Sequence, residues 1–578
     1  MMLARQVIAG ARELKNIRLS YIRKAFSLMA RREKIGVGVL ALVALLNAGY
    51  AGHAFYLAHT HEAPASGGEY HEGLLGQPRL INPLTAMSNT DLALTHLIYS
   101  GLFNYATDGT LIPDLAESLP VISEDQKQYT IKLKHNVKWH NNQTFNADDV
   151  VFTIHALQDP AYKSPLRSEW LNTSVDKTDD YTVVFTNKDI AGPFIHNLTL
   201  PIIAKSVWSG VDPANFFQSN ASLAAVGTGP YAIKEIRKLP SGKVQGITLE
   251  AFPYYYNGMP NINLVQMSFY DSPDDVINAL HSGEIQGFGF VPFDRSVHID
   301  SQNDALLVQE LPQPQYQALF FNLRNKLFAD KNVRTALSLG TDRGQIIQEV
   351  YNGSARLASG PILPEQLGFN PAVAVPDYDL EAAQTLLDKA GWTVNAATKI
   401  RSKSGQQFLI TIATNDFVLN SRTAELIQKQ WEKLNIKVQL NILPTKELSD
   451  NTIRPRNFDA LLFSQRLGAD PDPFVFWHSS QVKNPGLNVS GFNNAEADKL
   501  ISGGRSTTHR DIREKDYRRF EEIIADQVPA LFLSQSVYIY ATETNIKNTT
   551  IKILYDPAFR FEDITHWYID TQRAWGAQ

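Results

Sequence analysis

A chain of 578 residues is too long for one compact core, so two or three lobes are expected. A net charge of −5 and a pI near 6.3 argue against nucleic acid as the main partner, within an ordinary globular balance of 44% hydrophobic and 20% charged residues. Cysteine is absent. That excludes disulfides, thiolate metal sites, a cysteine nucleophile and a lipid-modified N-terminal cysteine, and leaves the redox compartment open.

The first 34 residues are basic, with Arg5, Arg12, Lys15, Arg18, Arg23, Lys24, Arg31, Arg32 and Lys34 against Glu13 and Glu33. An uncharged run over residues 35–58 follows, opening at Ile35 and closing at Ala58. At ~1.5 Å per residue it is long enough for a hydrocarbon core of ~30 Å. The basic lead then places residues 1–34 in the cytoplasm and the C-terminal bulk outside it. Two readings compete for this run. A retained single-pass anchor is favoured by the length of the basic lead. A cleavable signal peptide would use small-residue sites near Gly52-His53-Ala54 or Ala63-Pro64-Ala65. His59, Thr60, His61, Pro64, Ser66, Gly67 and Gly68 read as a polar linker, residues 59–68.

Next, residues 92–102 present Leu94, Leu97, Ile98 and Leu102 on one helical face, and Asp108-Gly109 is a hairpin signal. Residues 129–157 change period part-way. Tyr129, Ile131 and Leu133 alternate with polar residues as in a half-buried strand, and Asn141-Asn142 reads as a tight turn. Asn146 is placed to cap a helix whose first turn carries Asp148 and Asp149 and whose apolar face carries Val150, Val151, Ile154 and Leu157. The run Gly227-Thr228-Gly229-Pro230-Tyr231 has two glycines, but it lacks the lysine and the spacing of a phosphate loop.

Further on, residues 315–361 read as a strand followed by two helices, the second capped by Thr341 or Asp342. Residues 378–392 form a capped amphipathic helix stopped by Gly391. A strand at 408–414, a helix at 424–434 and a strand at 436–440 make a β-α-β crossover. Asn493-Asn494 caps a further helix.

Several of these blocks share a resemblance. YTIKLKHNVKWHNNQTFNADDVVFT (129–153) resembles the signature of the large family 5 extracellular solute-binding proteins, the peptide-type substrate-binding proteins of ABC importers, with Asn-Asn where the family usually has Asp-Gly. TDGTLIPDLAESLP, LPIIAKSVW, GTGPY, YDLEAAQTLLDKAGW and GLNVSGFNNAEADKLI are similar to other blocks of that family, as is the run 315–361 around Phe321-Asn322, Val333-Arg334, Asp342-Arg343 and Gly360-Pro361. The resemblance covers roughly residues 68–570.

It implies an α/β, periplasmic-binding-protein-like clamshell (type II, large cluster with an extra subdomain), and the apolar run 35–58 places one N-terminal transmembrane helix ahead of it. The expected layout is lobe I from 69–106, 227–312 and 535–570, an extra subdomain of that lobe at 107–226, and lobe II at 313–534. The implied function is capture of an oligopeptide by lobe closure and delivery to an ABC permease with its ATPase subunits. Neither enzyme activity nor a cofactor is implied. Ligands of oligosaccharide or nickel-chelate type are the alternative within the fold; an anchored extracellular hydrolase and a ligand-sensing receptor are the alternatives outside it, although residues 1–34 are too short for a signalling domain.

In peptide binders of this family an aspartate pairs with the ligand's α-ammonium, in a segment resembling GWxADYxDPxxF. Here the matching chain is SQRLGADPDPF (464–474), without the Trp and one residue shorter between Asp470 and Asp472. Asp470 is thereby implied as the ammonium contact, with Arg466, Leu467 and Gly468 beside it, Ala86, Met87 and Ser88 on the opposing lobe, and Asn488 in the pocket floor. Other chemistry finds little support. The 14 histidines form no H-E-x-x-H pattern or other metal spacing, no G-x-S-x-G elbow occurs, and the adjacent Asp148 and Asp149 point apart at a helix start.

Overall fold

The computed structural model describes residues 19–218, 223, 225–289 and 305–576, so residues 1–18 of the basic lead lie outside the described residues. The chain divides into two compact units, one of Met1–Ala65 with Asp570–Gln578 and the other of Ser66–Ile569.

In the smaller unit a helix spans Arg31–His59, long and apolar enough to cross a membrane by length and composition, with its apolar side chains exposed. Asn47, the polar interruption of the run, turns its amide back onto the Val43 carbonyl at 2.8 Å, which removes most of its cost in an apolar setting. The expected linker at 59–68 is corrected in part. Thr60–Pro64 is a β-strand, paired antiparallel with Thr571–Trp575. Its partner lies at the far end of the sequence, so no local pattern announces it.

The larger unit is built on an eleven-stranded mixed sheet. One half holds Lys437–Leu443, Leu409–Asn415 and Ala460–Arg466; the other holds Gly287–Gly289, Glu69–Leu75, Leu264–Tyr270, Val244–Ala251 and Tyr231–Lys238. Between them run two long antiparallel strands, Leu306–Phe321 and Ala530–Glu543, and the short strand Arg356–Leu357, the eleventh, pairs with the second of them. Their register slips between Pro312 and Tyr316. Pro312 and Pro314 have no N–H to give the ladder, so the break falls where the sequence cannot pair.

Apolar burial follows the same division. Tyr70, Leu97, Trp139, Phe185, Trp208, Tyr231 and Trp567 belong to one continuous core, so the segment 107–226 shares its interior with the strands that flank it in sequence. The other half of the sheet carries a separate core on each face, Leu319, Ile412 and Trp431 on one and Tyr316, Ala413 and Trp477 on the other. The crossover forms as its pattern predicts, with Leu409–Asn415 parallel to Lys437–Leu443 across the helix Val418–Glu432. Two helices begin earlier than their apolar periodicity suggests, at Asn89 and Val418 in place of 92 and 424, because the first turn of each carries polar or exposed residues.

The strand-turn-helix at 129–157 folds as its residues dictate. Tyr129, Ile131 and Leu133 are fully buried, and Asn142 takes a positive φ of 66° in the turn. Asn146 accepts from Asp148 N and caps Ala147–Gln158, while the Asp149 carboxylate accepts from Asn146 N, Lys205 N and Trp139 Nε1. His140 reaches the Gly227–Tyr231 turn, Nε2 donating to Gly229 O at 3.0 Å and Nδ1 accepting from Gly227 N at 3.3 Å. Those glycines serve close packing: a Cβ on Gly227 would sit 1.8 Å from Ile98 O, and one on Gly229 2.6 Å from the Ile98 carbonyl carbon.

Burial pulls the His140 pKa down to about 4, against an ordinary value near 6.5, with the Gly229 carbonyl partly opposing it. A depressed histidine contributes stability that is present above pH 6.5 and lost as pH falls toward 4, here at most about 3 kcal/mol. The pH dependence of urea unfolding between 6.5 and 4 is therefore expected to be shallower in His140→Gln than in the wild type. Equal slopes would mean that the ring titrates normally.

Candidate functional site

The strand Ala460–Arg466 ends beside the register break of the long strands, and the loop that follows carries the expected ligand contacts. Asp470 is 8% exposed, and its carboxylate already has a cation. Arg513, on the helix Arg510–Gln527, places Nη2 2.8 Å from Oδ1 and 2.6 Å from Oδ2 of Asp470, with both side chains almost fully enclosed. Oδ1 also accepts from Asp472 N at 3.0 Å, so that oxygen is well occupied. Oδ2 has the ion-pair contact but no hydrogen bond of good geometry, and so keeps acceptor capacity.

What faces Oδ2 comes from the other side of the sheet break. His196, in the short helical turn Phe194–Asn197, sets Nε2 3.5 Å from it. His196 Nδ1 lies 2.6 Å from the Tyr105 hydroxyl, and burial raises the Tyr105 pKa well above the ordinary phenol value. A phenol held protonated donates to Nδ1, which leaves the imidazole proton on Nε2, aimed at Asp470. Burial also lowers the His196 pKa, although Asp470 pulls the other way. The cluster Tyr105–His196–Asp470–Arg513 thus joins segments on either side of the sheet break. Nearby bonds do the same: Gln126 Oε1 accepts from Thr508 N at 2.7 Å, and Gly192 N donates to Arg505 O at 2.8 Å.

The other expected contacts have varied placements. Arg466 is half-exposed and pairs with Asp556 at 2.7 Å. Leu467 is buried in a core, with its N–H donating to Pro314 O at 2.7 Å. The Gly468 carbonyl accepts from Gln366 Nε2 at 2.8 Å. Asn488 has no exposed surface: its amide donates to the Trp477, His478 and Phe492 carbonyls and its oxygen accepts from Gly491 N and Phe492 N. Every polar atom of the Asn488 side chain is used in holding its own loop. On the opposing segment Ala86 is buried, Met87 is 66% exposed, and Ser88 caps the helix Asn89–Ile98 by accepting from Asp91 N. Their recorded bonds are to their own turn, and they are not bonded to the Asp470 cluster.

A cavity of about 590 Å³ opens beside the same strand end. Phe417, Val418 and Val350 supply apolar wall, Gln315 and Ser464 polar wall, and Arg422 a cation. Phe417 occupies the N-cap of Val418–Glu432 without a side-chain cap. Among the described residues no group of three or more His, Asp or Glu is arranged to hold a metal. Sequence reasoning missed His196, Arg513, Tyr105 and the cavity. His196 and Arg513 lie far from Asp470 in sequence and carry no motif; only the fold brings them together.

Comparison with known proteins decides the family. The family model of bacterial extracellular solute-binding proteins, family 5 middle, matches residues 110–486. The chain is a family 5 solute-binding protein. This solute-binding protein is 29% identical over 514 residues to the oligopeptide-binding protein AppA of Bacillus subtilis, a match covering 88% of the chain and 92% of the relative. It is 26% identical to the dipeptide-binding protein of Escherichia coli, over 82% and 91% of the two chains. The structure of Bacillus subtilis AppA in complex with a nonapeptide superposes with a TM-score of 0.66 at 28% identity, covering 88% of this chain and all of that one. Campylobacter jejuni NikZ in complex with Ni(L-His) shares the fold, with a TM-score of 0.68 at 22% identity over 86% and 99% of the chains.

Proposed function

We propose that this solute-binding protein captures peptides with a free amino terminus outside the cytoplasm, tethered by the helix Arg31–His59, and hands them to an ABC permease. The observation that carries the reading is the Asp470 carboxylate, buried at the sheet break, with one oxygen saturated and the other retaining acceptor capacity toward the opposite lobe. A ligand ammonium would share Oδ2 with Arg513, which stands 2.6 Å from it, and take the place of the long 3.5 Å contact to His196. Arg513 acts as a positioning residue, holding the carboxylate by both oxygens, at 2.8 Å from Oδ1 and 2.6 Å from Oδ2. The cavity lined by Phe417 and Val418 suits a ligand side chain. The slip at Pro312–Tyr316 is the natural hinge, since the two long strands are least firmly paired there.

The reading is supported by the peptide-binding relatives and by the peptide-complexed structure of AppA. Native mass spectrometry of the piece beginning at Ser66 tests it. Co-purified peptides are expected, and calorimetry is expected to show binding of free-amino peptides and much weaker binding of their N-acetylated forms. A co-purified chelate or sugar, or equal affinity for both peptide forms, would overturn it.

A further inference from the structure

The carbonyls of a helix's last turn have no donors within the helix's backbone ladder and must find them elsewhere; in Arg31–His59, Phe55 O and Tyr56 O meet the His59 ring and the Thr60 hydroxyl, while Leu57 O and His59 O are met from the segment 571–576. Gly576 N donates to His59 O at 3.1 Å. The Arg573 guanidinium donates to Leu57 O at 3.2 Å, to Thr60 O at 2.8 Å and to Thr60 Oγ1 at 2.7 Å. A basic side chain at this position also complements the negative end of the helix dipole.

Aromatic contacts extend the grip. Trp575 meets Tyr56 edge-on with ring centroids 5.7 Å apart and lies 6.5 Å from Phe55, and Arg573 stands over the Tyr56 ring at 5.8 Å. Yet Trp575 remains 65% exposed. Amphipathic aromatic rings gathered at the outer end of an apolar helix match the preference of Trp and Tyr for the membrane–water boundary.

We propose that the helix Arg31–His59 stays on the mature protein and that the strand Thr571–Trp575 is a clamp on its outer end, seating Trp575, Tyr56 and Phe55 at the headgroup level of the membrane. Removal of a leader near residue 65 would take away every partner of Arg573 and Trp575 named above. A cut near residue 54 would leave those partners on a stub whose helix is gone. The clamp also explains why Thr60–Pro64 is a strand: a two-stranded ribbon joined to the helix end fixes the direction in which the chain leaves the membrane, which a single flexible linker does not. The ribbon's far end is closed by Ala65 N donating to Asp570 O at 2.9 Å. The proposal rests on the tethered orientation given above and is independent of which ligand is bound.

The absence of cysteine makes the test clean. His61 and Ala574 are directly opposed in the ribbon, at a spacing suited to a disulfide. In the full chain expressed in its membrane, the pair His61→Cys with Ala574→Cys is expected to cross-link in most molecules on mild oxidation, while neither single variant shows the product. Intact mass of the same material is expected to show a chain that begins ahead of residue 31. Arg573→Ala is expected to raise the rate of added-protease cleavage at residues 60–65 at least tenfold. A mature terminus between residues 53 and 66, or cross-linking no higher than in the single variants, would overturn the proposal. Loss of peptide binding by the piece beginning at Ser66 would instead count against the ligand reading and leave this one standing.

Discussion

Arg513→Ala is expected to cost the protein about 3–5 kcal/mol of folding stability and to make what remains dependent on ligand. The guanidinium is the near cation of Asp470, and both side chains are enclosed, so its removal leaves a carboxylate in a setting that cannot solvate it. His196 does not substitute, because burial favours its neutral form and it stands 3.5 Å away. A free-amino peptide would supply the missing charge, so it is expected to raise the melting temperature of the variant more than that of the wild type, and its N-acetylated form is expected to do neither. Asp470→Asn is the converse case. It keeps the shape, removes the charge, and is expected to weaken binding of free-amino peptides by roughly 10- to 100-fold, the worth of a hydrogen bond to a charged group. If both variants bound both peptide forms like the wild type, Asp470 and Arg513 would be a structural pair only. Urea unfolding and calorimetry on the piece beginning at Ser66 supply both readings.

The sequence is most legible where a local rule decides the structure. Asn146, Asp342 and Asn494 are capping residues by type and position, and each caps the helix expected of it. Gly391 ends a helix at a φ of 82°. The family motif at 129–157 is as regular in space as in sequence, yet it lies in the shared core of the first half and contributes scaffolding. The candidate site is the opposite case. Its acid could be placed from a short motif, but its cation comes from residue 513, its opposing imidazole from residue 196 and its phenol from residue 105, each on a different element. Asn488 is a different case again. A polar residue in a motif next to a site invites a binding role, whereas six hydrogen bonds within its own loop consume it. The ribbon Thr60–Pro64/Thr571–Trp575 was illegible for a related reason, because five residues without β-branched alternation carry no signal until the partner is known.

Arg560→Met is expected to destabilise the protein by about 3–5 kcal/mol, and adding Glu72→Leu is expected to recover at least half of that loss. Glu72 and Arg560 are 0% and 2% exposed and meet at 2.8 Å, far from any ligand role. Tyr540 donates to Glu72 at 3.2 Å, Tyr70 hydrogen-bonds the same oxygen, and the two tyrosine hydroxyls lie 2.7 Å apart. These four side chains come from the strand Glu69–Leu75, the long strand Ala530–Glu543 and the turn Pro557–Phe561, so the network fastens together pieces of chain that are remote in sequence. Gly287 passes so close that a Cβ there would fall 1.7 Å from the Tyr70 hydroxyl, so the network is closed on that side. Removing the arginine alone therefore strands a carboxylate. Removing both charges leaves only the Pro557 carbonyl without its Arg560 donor, because Tyr70 and Tyr540 can still bond each other while leucine and methionine fill the volume. A double-mutant cycle followed by urea unfolding reads the difference. A double variant as unstable as Arg560→Met alone would show that the tyrosines, and not the charge pair, depend on Glu72.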